Sequence, residues 1–246
     1  MNRRNFFEKL KNLGLLTGFA GIFTRQASAN TPEGYDAKDH YYGMGIQIDK
    51  CIGCGMCVSA CKKENAVPKE PFFFRTWVER YLIRTNEETI VQNITHSTPT
   101  SDTSGDKKFL RSFFVPKLCN QCDNPPCVQV CPVGATFKTE DGVILVDDTR
   151  CIGCRYCIQA CPYGARYLHP DRMTADKCTF CYHRITKDLL PACVEVCPTQ
   201  ARIFGDLKRS ASPLTRFRRM NKLHVLKPFL NTEPKVTYSN LDGEVR

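Results

Sequence analysis

Apolar residues come in short runs along this chain, none of them the roughly 20 residues that a membrane-spanning helix takes. The first run, Leu13 to Phe23, holds three glycines. Two later runs resemble each other. Gly45-Ile46-Gln47-Ile48-Asp49-Lys50 and Val143-Ile144-Leu145-Val146-Asp147-Asp148-Thr149-Arg150 are both β-rich, and both end at Cys-Ile-Gly-Cys. That echo predicts an internal duplication. Asp141-Gly142, just before the second run, is a hairpin turn signal between two short strands. Phe72 to Ile83, dense in aromatic and β-branched residues, predicts a longer strand. His96 to Lys108 is polar and rich in Ser, Thr, Asp and Gly, a loop by composition. Ser212-Pro213 predicts an N-cap and first position for a helix over Leu214 to Leu223, with Arg216, Arg218, Arg219 and Lys222 on its solvated face. From Leu226 to Arg246, with Pro228 and Pro234, the chain predicts an extended tail lying over the surface of itself or a neighbour.

The cysteines change this picture. Sixteen of them form four groups of four, with none left over: Cys51, Cys54, Cys57, Cys61; Cys119, Cys122, Cys127, Cys131; Cys151, Cys154, Cys157, Cys161; and Cys178, Cys181, Cys193, Cys197. The first and third groups read C-x2-C-x2-C-x3-C, the run with which bacterial ferredoxins ligate [4Fe–4S] clusters. The second and fourth keep the opening C-x2-C and closing C-x3-C but lengthen the middle gap. Thiolate is the soft ligand that selects iron–sulfur cores and zinc over harder metals. Gly53, Gly55 and Gly153 suit tight loops that turn several sulfurs and N–H groups toward one centre. Three closing cysteines precede proline (Cys131, Cys161 and Cys197), whereas Cys61 is followed by Lys62. Sixteen thiolates predict four [4Fe–4S] clusters.

Other uses of cysteine fit less well. A disulfide framework does not consist solely of C-x2-C and C-x3-C quartets. Structural zinc favours two C-x2-C pairs across a longer loop, which only the fourth group approaches. No C-x-x-C pair is followed by histidine, so covalent c-type heme is excluded.

In two-cluster ferredoxins the fourth cysteine of a run ligates the other cluster, so groups work in pairs. The hairpin between the second and third groups joins them as an inner module, leaving the first and fourth as an outer one. The predicted ligand sets are therefore Cys51, Cys54, Cys57 with Cys197; Cys178, Cys181, Cys193 with Cys61; Cys119, Cys122, Cys127 with Cys161; and Cys151, Cys154, Cys157 with Cys131. Sequential pairing, first with second and third with fourth, is the alternative.

The opening residues bear on compartment. Arg3-Arg4-Asn5-Phe6-Phe7-Glu8-Lys9, the apolar run and then Ala27-Ser28-Ala29 have the order of a twin-arginine export signal with its cleavage site. That route carries folded proteins, which suits clusters assembled in the cytoplasm, and it predicts a periplasmic location. Cleavage after Ala29 would remove five basic residues and one acidic, taking the formal charge from +10 to +6. The remaining positive charge suits an acidic partner or anionic headgroups. Nucleic acid is not an expected partner for an exported chain. His96, His169, His183 and His224 stand in unrelated contexts, and no nucleophile triad, phosphate loop or dinucleotide fingerprint is present, so no catalytic residues are assigned.

Arg75-Thr76-Trp77-Val78-Glu79, Leu118-Cys119-Asn120-Gln121-Cys122-Asp123-Asn124-Pro125-Pro126-Cys127, Cys151-Ile152-Gly153-Cys154-Arg155-Tyr156-Cys157 and Pro191-Ala192-Cys193-Val194-Glu195-Val196-Cys197-Pro198 resemble the iron–sulfur electron-transfer subunits of the dimethyl sulfoxide reductase family. The likeness runs from about Met44 to Tyr238. It is nearest in kind to polysulfide, thiosulfate and tetrathionate reductase subunits, their nitrite-reductase-associated counterparts and the exported subunit of the sulfite-reduction membrane complex. The resemblance implies an α+β fold of two ferredoxin-like dicluster modules, βαβ-type pseudo-twofold repeats, with a β-rich insertion and an extended C-terminal tail. The layout expected is a signal peptide at 1–29, an outer module from 44–66 and 170–205, an insertion at 67–115, an inner module at 116–169, and a helix with tail at 206–246. It also implies a non-catalytic four-cluster subunit peripheral on the membrane. This would stand between a membrane-integral quinone-reactive subunit and a catalytic subunit of molybdopterin type or a multiheme cytochrome. A free periplasmic polyferredoxin is the competing expectation.

Overall fold

The computed structural model describes residues 34–69, 73–86, 88–94 and 109–245. The expected signal peptide and the polar loop 96–108 lie outside the described residues.

Tyr42-Gly43-Met44-Gly45-Ile46-Gln47 alternates large apolar side chains with glycine, and it forms the first strand, β1 (Tyr42–Gln47). Tyr42, Met44 and Ile46 point into the core. The glycine face admits a helix: a Cβ on Gly45 would stand 2.5 Å from the Phe217 ring, and one on Gly43 would stand 3.1 Å from Leu214. Only glycine permits so close an approach. The helix is α6 (Pro213–Met220), which buries Leu214 and Phe217, three residues apart, and turns Arg216, Arg218 and Arg219 to solvent.

Beside β1 lie β9 (Arg202–Asp206), antiparallel, and β11 (Val236–Ser239), parallel, with β10 (Leu223–His224) on the far edge of β11. The order β10-β11-β1-β9 brings together segments almost 200 residues apart. A second sheet, β3-β2-β4, consists of β2 (Thr76–Arg84), β3 (Thr89–Ile94) and β4 (Phe109–Leu118), all antiparallel. Tyr81 and Phe113, directly opposite in its register, stack with centroids 5.2 Å apart. Two hairpins complete the strands: β5 (Thr136–Lys138) with β6 (Ile144–Val146), and β7 (Arg166–Leu168) with β8 (Ala175–Lys177). The Asp141-Gly142 signal falls in the turn of the first, where Gly142 N–H donates to Thr139 C=O at 3.0 Å.

Five short helices follow cysteine loops. They are α1 (Met56–Glu64), α2 (Pro126–Gln129), α3 (Tyr156–Gln159), α4 (Tyr182–Ile185) and α5 (Ala192–Glu195). α1 packs against α5 and α2 against α3. Among the described residues no helix is long and apolar enough to cross a membrane.

Three local expectations need correction. The strand expected from Phe72 begins at Thr76, where ladder pairing with Leu118 starts. The helix expected to reach Leu223 ends at Met220: Asn221 is extended (φ −127°, ψ 147°), and Leu223 pairs instead with Ser239. The tail is not the extended strap expected over a surface: Pro228–Leu230 forms a 3-10 turn, and the strand that follows it runs inside. Val236, Tyr238 and Ser239 are fully buried, because β11 fills the place between β10 and β1. Burying two large side chains and completing two hydrogen-bonded ladders outweighs lying in solvent.

Candidate metal centres

No disulfide joins any of the sixteen cysteines. Their positions in space cut across their order in the chain. Cys51, Cys54 and Cys57 line one cavity with Cys197, together with Val78, Ala201 and Arg202. Cys61 lines a second with Cys178, Cys181 and Cys193, beside Asn65, Arg75 and Thr76. The closing cysteine of each outer group has crossed to the other group's loop. The α1–α5 packing brings this about, since α1 carries Cys57 and Cys61 and α5 carries Cys193.

In the inner half, burial and then the neighbouring charges of Cys119, Cys127 and Cys161 push the Cys122 thiol up to about 12. Cys161 is raised by burial and next by Cys119. The closing cysteine of the third group is thus near enough to the second for their charges to interact. Cys131, Cys151, Cys154 and Cys157 are the remaining quartet. Thr136 N–H donates to Cys131 Sγ at 3.5 Å and Ala175 N–H to Cys151 Sγ at 3.4 Å, so a strand of each hairpin reaches it. Cys154 is the one exposed cysteine of the sixteen.

The two Cys-Ile-Gly-Cys loops need their glycines. Gly53 has φ +71° and Gly153 φ +67°; a Cβ on the first would stand 2.3 Å from the Phe114 ring, and on the second 2.5 Å from the Met173 carbonyl oxygen. Both the left-handed backbone and the close neighbour exclude a side chain.

The thiols are held in opposed environments. Burial pushes Cys178 up to about 12 and Cys193 to about 11, and Cys61 well above its ordinary value. Burial also lifts Cys51 to about 11, opposed by the Gly53 N–H and then the Arg202 charge. At Cys131 burial acts upward too, but the N–H groups of Thr136, Val133 and Ala135 outweigh it and leave the thiol below its ordinary value. Buried thiols, N–H donors and nearby cations form a donor set in which the protein supplies soft ligands and offsets their negative charge. In the second quartet, Asn65 Nδ2 lies 3.5 Å from Cys181 Sγ and 3.7 Å from Cys61 Sγ. Arg75, paired with Asp176 at 2.7 Å, orients Asn65 through a 2.9 Å bond to its Oδ1.

Among the described residues no three or more His, Cys, Asp or Glu side chains are arranged to hold a single metal ion. Zinc would need its ligands about 2.0–2.3 Å from one point. The first two quartets each line a cavity instead, which suits a many-atom core. The described histidines stand apart from the thiols in their bonding: His183 Nε2 lies 2.7 Å from Glu64 Oε1, and His40 Nδ1 2.8 Å from Asp206 Oδ2.

Three buried cations beside the cysteine loops escaped the sequence reading. Arg202 Nη2 donates to Thr76 Oγ1 at 2.7 Å and lies 3.5 Å from Cys57 Sγ, with its Nη1 3.8 Å from Cys193 Sγ. Arg166 Nη2 lies 3.1 Å from Cys127 Sγ, with its Nη1 3.3 Å from Thr136 Oγ1. Lys177, fully buried, donates from Nζ to the carbonyls of Ile144 and, at 2.7 Å, Cys178. A signal for the arginines existed. Cys161-Pro162-x-x-Ala165-Arg166 and Cys197-Pro198-x-x-Ala201-Arg202 place arginine five residues after each closing cysteine. Lys177, next to Cys178, carries no such mark.

Two models of a 4Fe–4S dicluster domain match the chain, at residues 50–135 and 110–207. The spans overlap across the second group, so they do not themselves say which groups share a site. Among curated relatives, a tetrathionate reductase subunit of Salmonella typhimurium is 42% identical over 95% of this chain and 87% of its own length. Protein NrfC of Escherichia coli is 34% identical over 96% of this chain and 93% of its own. The Hdr-like menaquinol oxidoreductase iron-sulfur subunit 1 of Archaeoglobus fulgidus is 33% identical over 99% and 100%. Two dicluster domains and sixteen cysteines correspond to four [4Fe–4S] clusters.

Proposed function

This chain belongs to the iron–sulfur electron-transfer subunits built on 4Fe–4S dicluster domains, and from that premise we propose that it relays electrons within a respiratory reductase complex. The partners we propose are a membrane-integral quinone-reactive subunit on one side and a molybdopterin-type catalytic subunit or multiheme cytochrome on the other. The names of the relatives, a reductase subunit and a menaquinol oxidoreductase subunit, support that placement. When bound, the clusters supply one-electron redox capacity. The protein's part is to hold them, exclude water and set their electrostatics.

The observation that carries this reading is the sharing of one cavity by Cys61 with Cys178, Cys181 and Cys193, and of another by Cys197 with Cys51, Cys54 and Cys57. Together with the nearness of Cys161 to Cys119, it supports Cys51, Cys54, Cys57, Cys197; Cys61, Cys178, Cys181, Cys193; Cys119, Cys122, Cys127, Cys161; and Cys131, Cys151, Cys154, Cys157 as the four ligand sets. We read the α1–α5 and α2–α3 pairs as the cores of outer and inner pseudo-twofold modules, with β2–β4 as the insertion between their first members. Iron and acid-labile sulfide analysis tests the count. About sixteen of each per chain are expected, at four per cubane, and about eight, or zinc in their place, would sink it.

Location in the periplasm, through the twin-arginine signal, is part of the same proposal. Lysine in place of both Arg3 and Arg4 should leave cluster-loaded protein in the cytoplasm, as cell fractionation and blotting would read. Unchanged periplasmic accumulation would refute this route.

A further inference from the structure

Resting on the four ligand sets proposed above, the three buried cations acquire a common position. Arg202 lies within 3.8 Å of a thiol from each of the first two quartets, Cys57 and Cys193. Arg166 contacts Cys127 of the third quartet through Nη2, and its Nη1 lies 3.3 Å from Oγ1 of Thr136, whose N–H donates to Cys131 of the fourth. Lys177 Nζ donates to the Cys178 carbonyl in the loop of the second quartet, and Gln121, which lies between Cys119 and Cys122 of the third, donates to that same carbonyl. Arg166 and Lys177 are direct cross-strand partners on the β7–β8 hairpin, so one hairpin supplies cations to two places. Gln121, also fully buried, braces the same joint, donating to Cys178 C=O and accepting from Ile144 N–H, both at 2.7 Å.

We propose that this chain sets one buried cation in each of the three gaps between successive cysteine quartets, and that each raises the reduction potentials of the two clusters flanking it. Adding an electron adds negative charge. A cation placed between two sites stabilises that charge on either side, so adjacent sites can both accept electrons despite mutual repulsion. In a dry interior this field is weakly screened. The cations are positioning residues of the electrostatics, and none is a ligand.

The position predicts a pattern that can be read without assigning spectra. In the purified, cluster-loaded protein, potentiometric titration followed by electron paramagnetic resonance should resolve four potentials. Arg202→Met should lower two of them and Arg166→Met the other two. Lys177→Met should lower one from each pair. The expected size is a tenfold or larger fall in the reduction equilibrium, about 59 mV for a one-electron step. Lys177→Arg, Arg166→Lys and Arg202→Lys, which keep the charge, should restore most of the shift. Where a methionine variant fails to load, Lys177→Gln keeps a donor for the two carbonyls while removing the charge. Loaded variants with unmoved potentials, equal shifts in all four, or overlapping sets for Arg166 and Arg202 would overturn the proposal while leaving the ligand sets standing. Wild-type protein with fewer than four clusters would instead overturn the ligand sets.

Discussion

Serine in place of Cys161 is expected to remove or convert the cluster held by Cys119, Cys122 and Cys127, while sparing the one held by the rest of its own group. Cys119 stands close enough to Cys161 for its charge to raise the Cys161 thiol, and Cys122 senses both. A serine hydroxyl is a harder and far less acidic ligand than a thiol, so it holds iron poorly. The measurement is a comparison of paramagnetic resonance spectra among variants. Cys161→Ser and Cys122→Ser should lose the same signal, with about four irons missing per chain from about sixteen. Cys161→Ser and Cys157→Ser should lose different ones. The reverse grouping would establish that each run closes its own cluster.

Ending the chain after Lys235 should abolish stable folding, even though only the last residues are lost. Those residues include β11, which lies between β10 and β1 and carries fully buried Val236 and Tyr238. Each such side chain contributes about 1.5–3 kcal/mol on burial. Two of them, with the ladders on both sides, approach the roughly 5–15 kcal/mol that holds a domain together. β1 would also lose its parallel partner directly upstream of Cys51, Cys54 and Cys57. Limited proteolysis and iron content would show the loss. Tyr238→Phe is the gentle counterpart: it removes only the hydroxyl's 3.2 Å bond to Pro116 C=O, worth about 0.5–1.5 kcal/mol, and should lower Tm by a few degrees with iron retained. A truncated protein with normal iron and Tm would show that the tail is dispensable.

Much of the site was legible because its chemistry is local. Ligand type and spacing within each C-x2-C loop are properties of a few consecutive residues, so all sixteen cysteines and the cluster type could be read directly. The Asp141-Gly142 turn and the start of α6 at Pro213 were legible for the same reason, since turn residues and a first-position proline act over two to four residues. The buried cations were harder. Arg166 and Arg202 follow their cysteines at a fixed offset, but arginine in a basic chain gives no sign that it is turned inward. Lys177 is still less visible, because its place between two quartets arises only once the β7–β8 hairpin is docked against the Gln121 loop.

The sequence by itself determined which atoms are available: the thiols, the glycines that let Cys-Ile-Gly-Cys loops close, and the β-rich runs that lead into them. The crossed arrangement could be argued from the ferredoxin rule, but it is the packing of α1 on α5 that brings Cys61 to Cys178. The tertiary structure alone decided that the C-terminal residues become a core strand and that three cations occupy the spaces between quartets. Strand partners and buried charges are chosen by what must be desolvated together, and no window of neighbouring residues contains both sides of a contact that spans almost 200 of them.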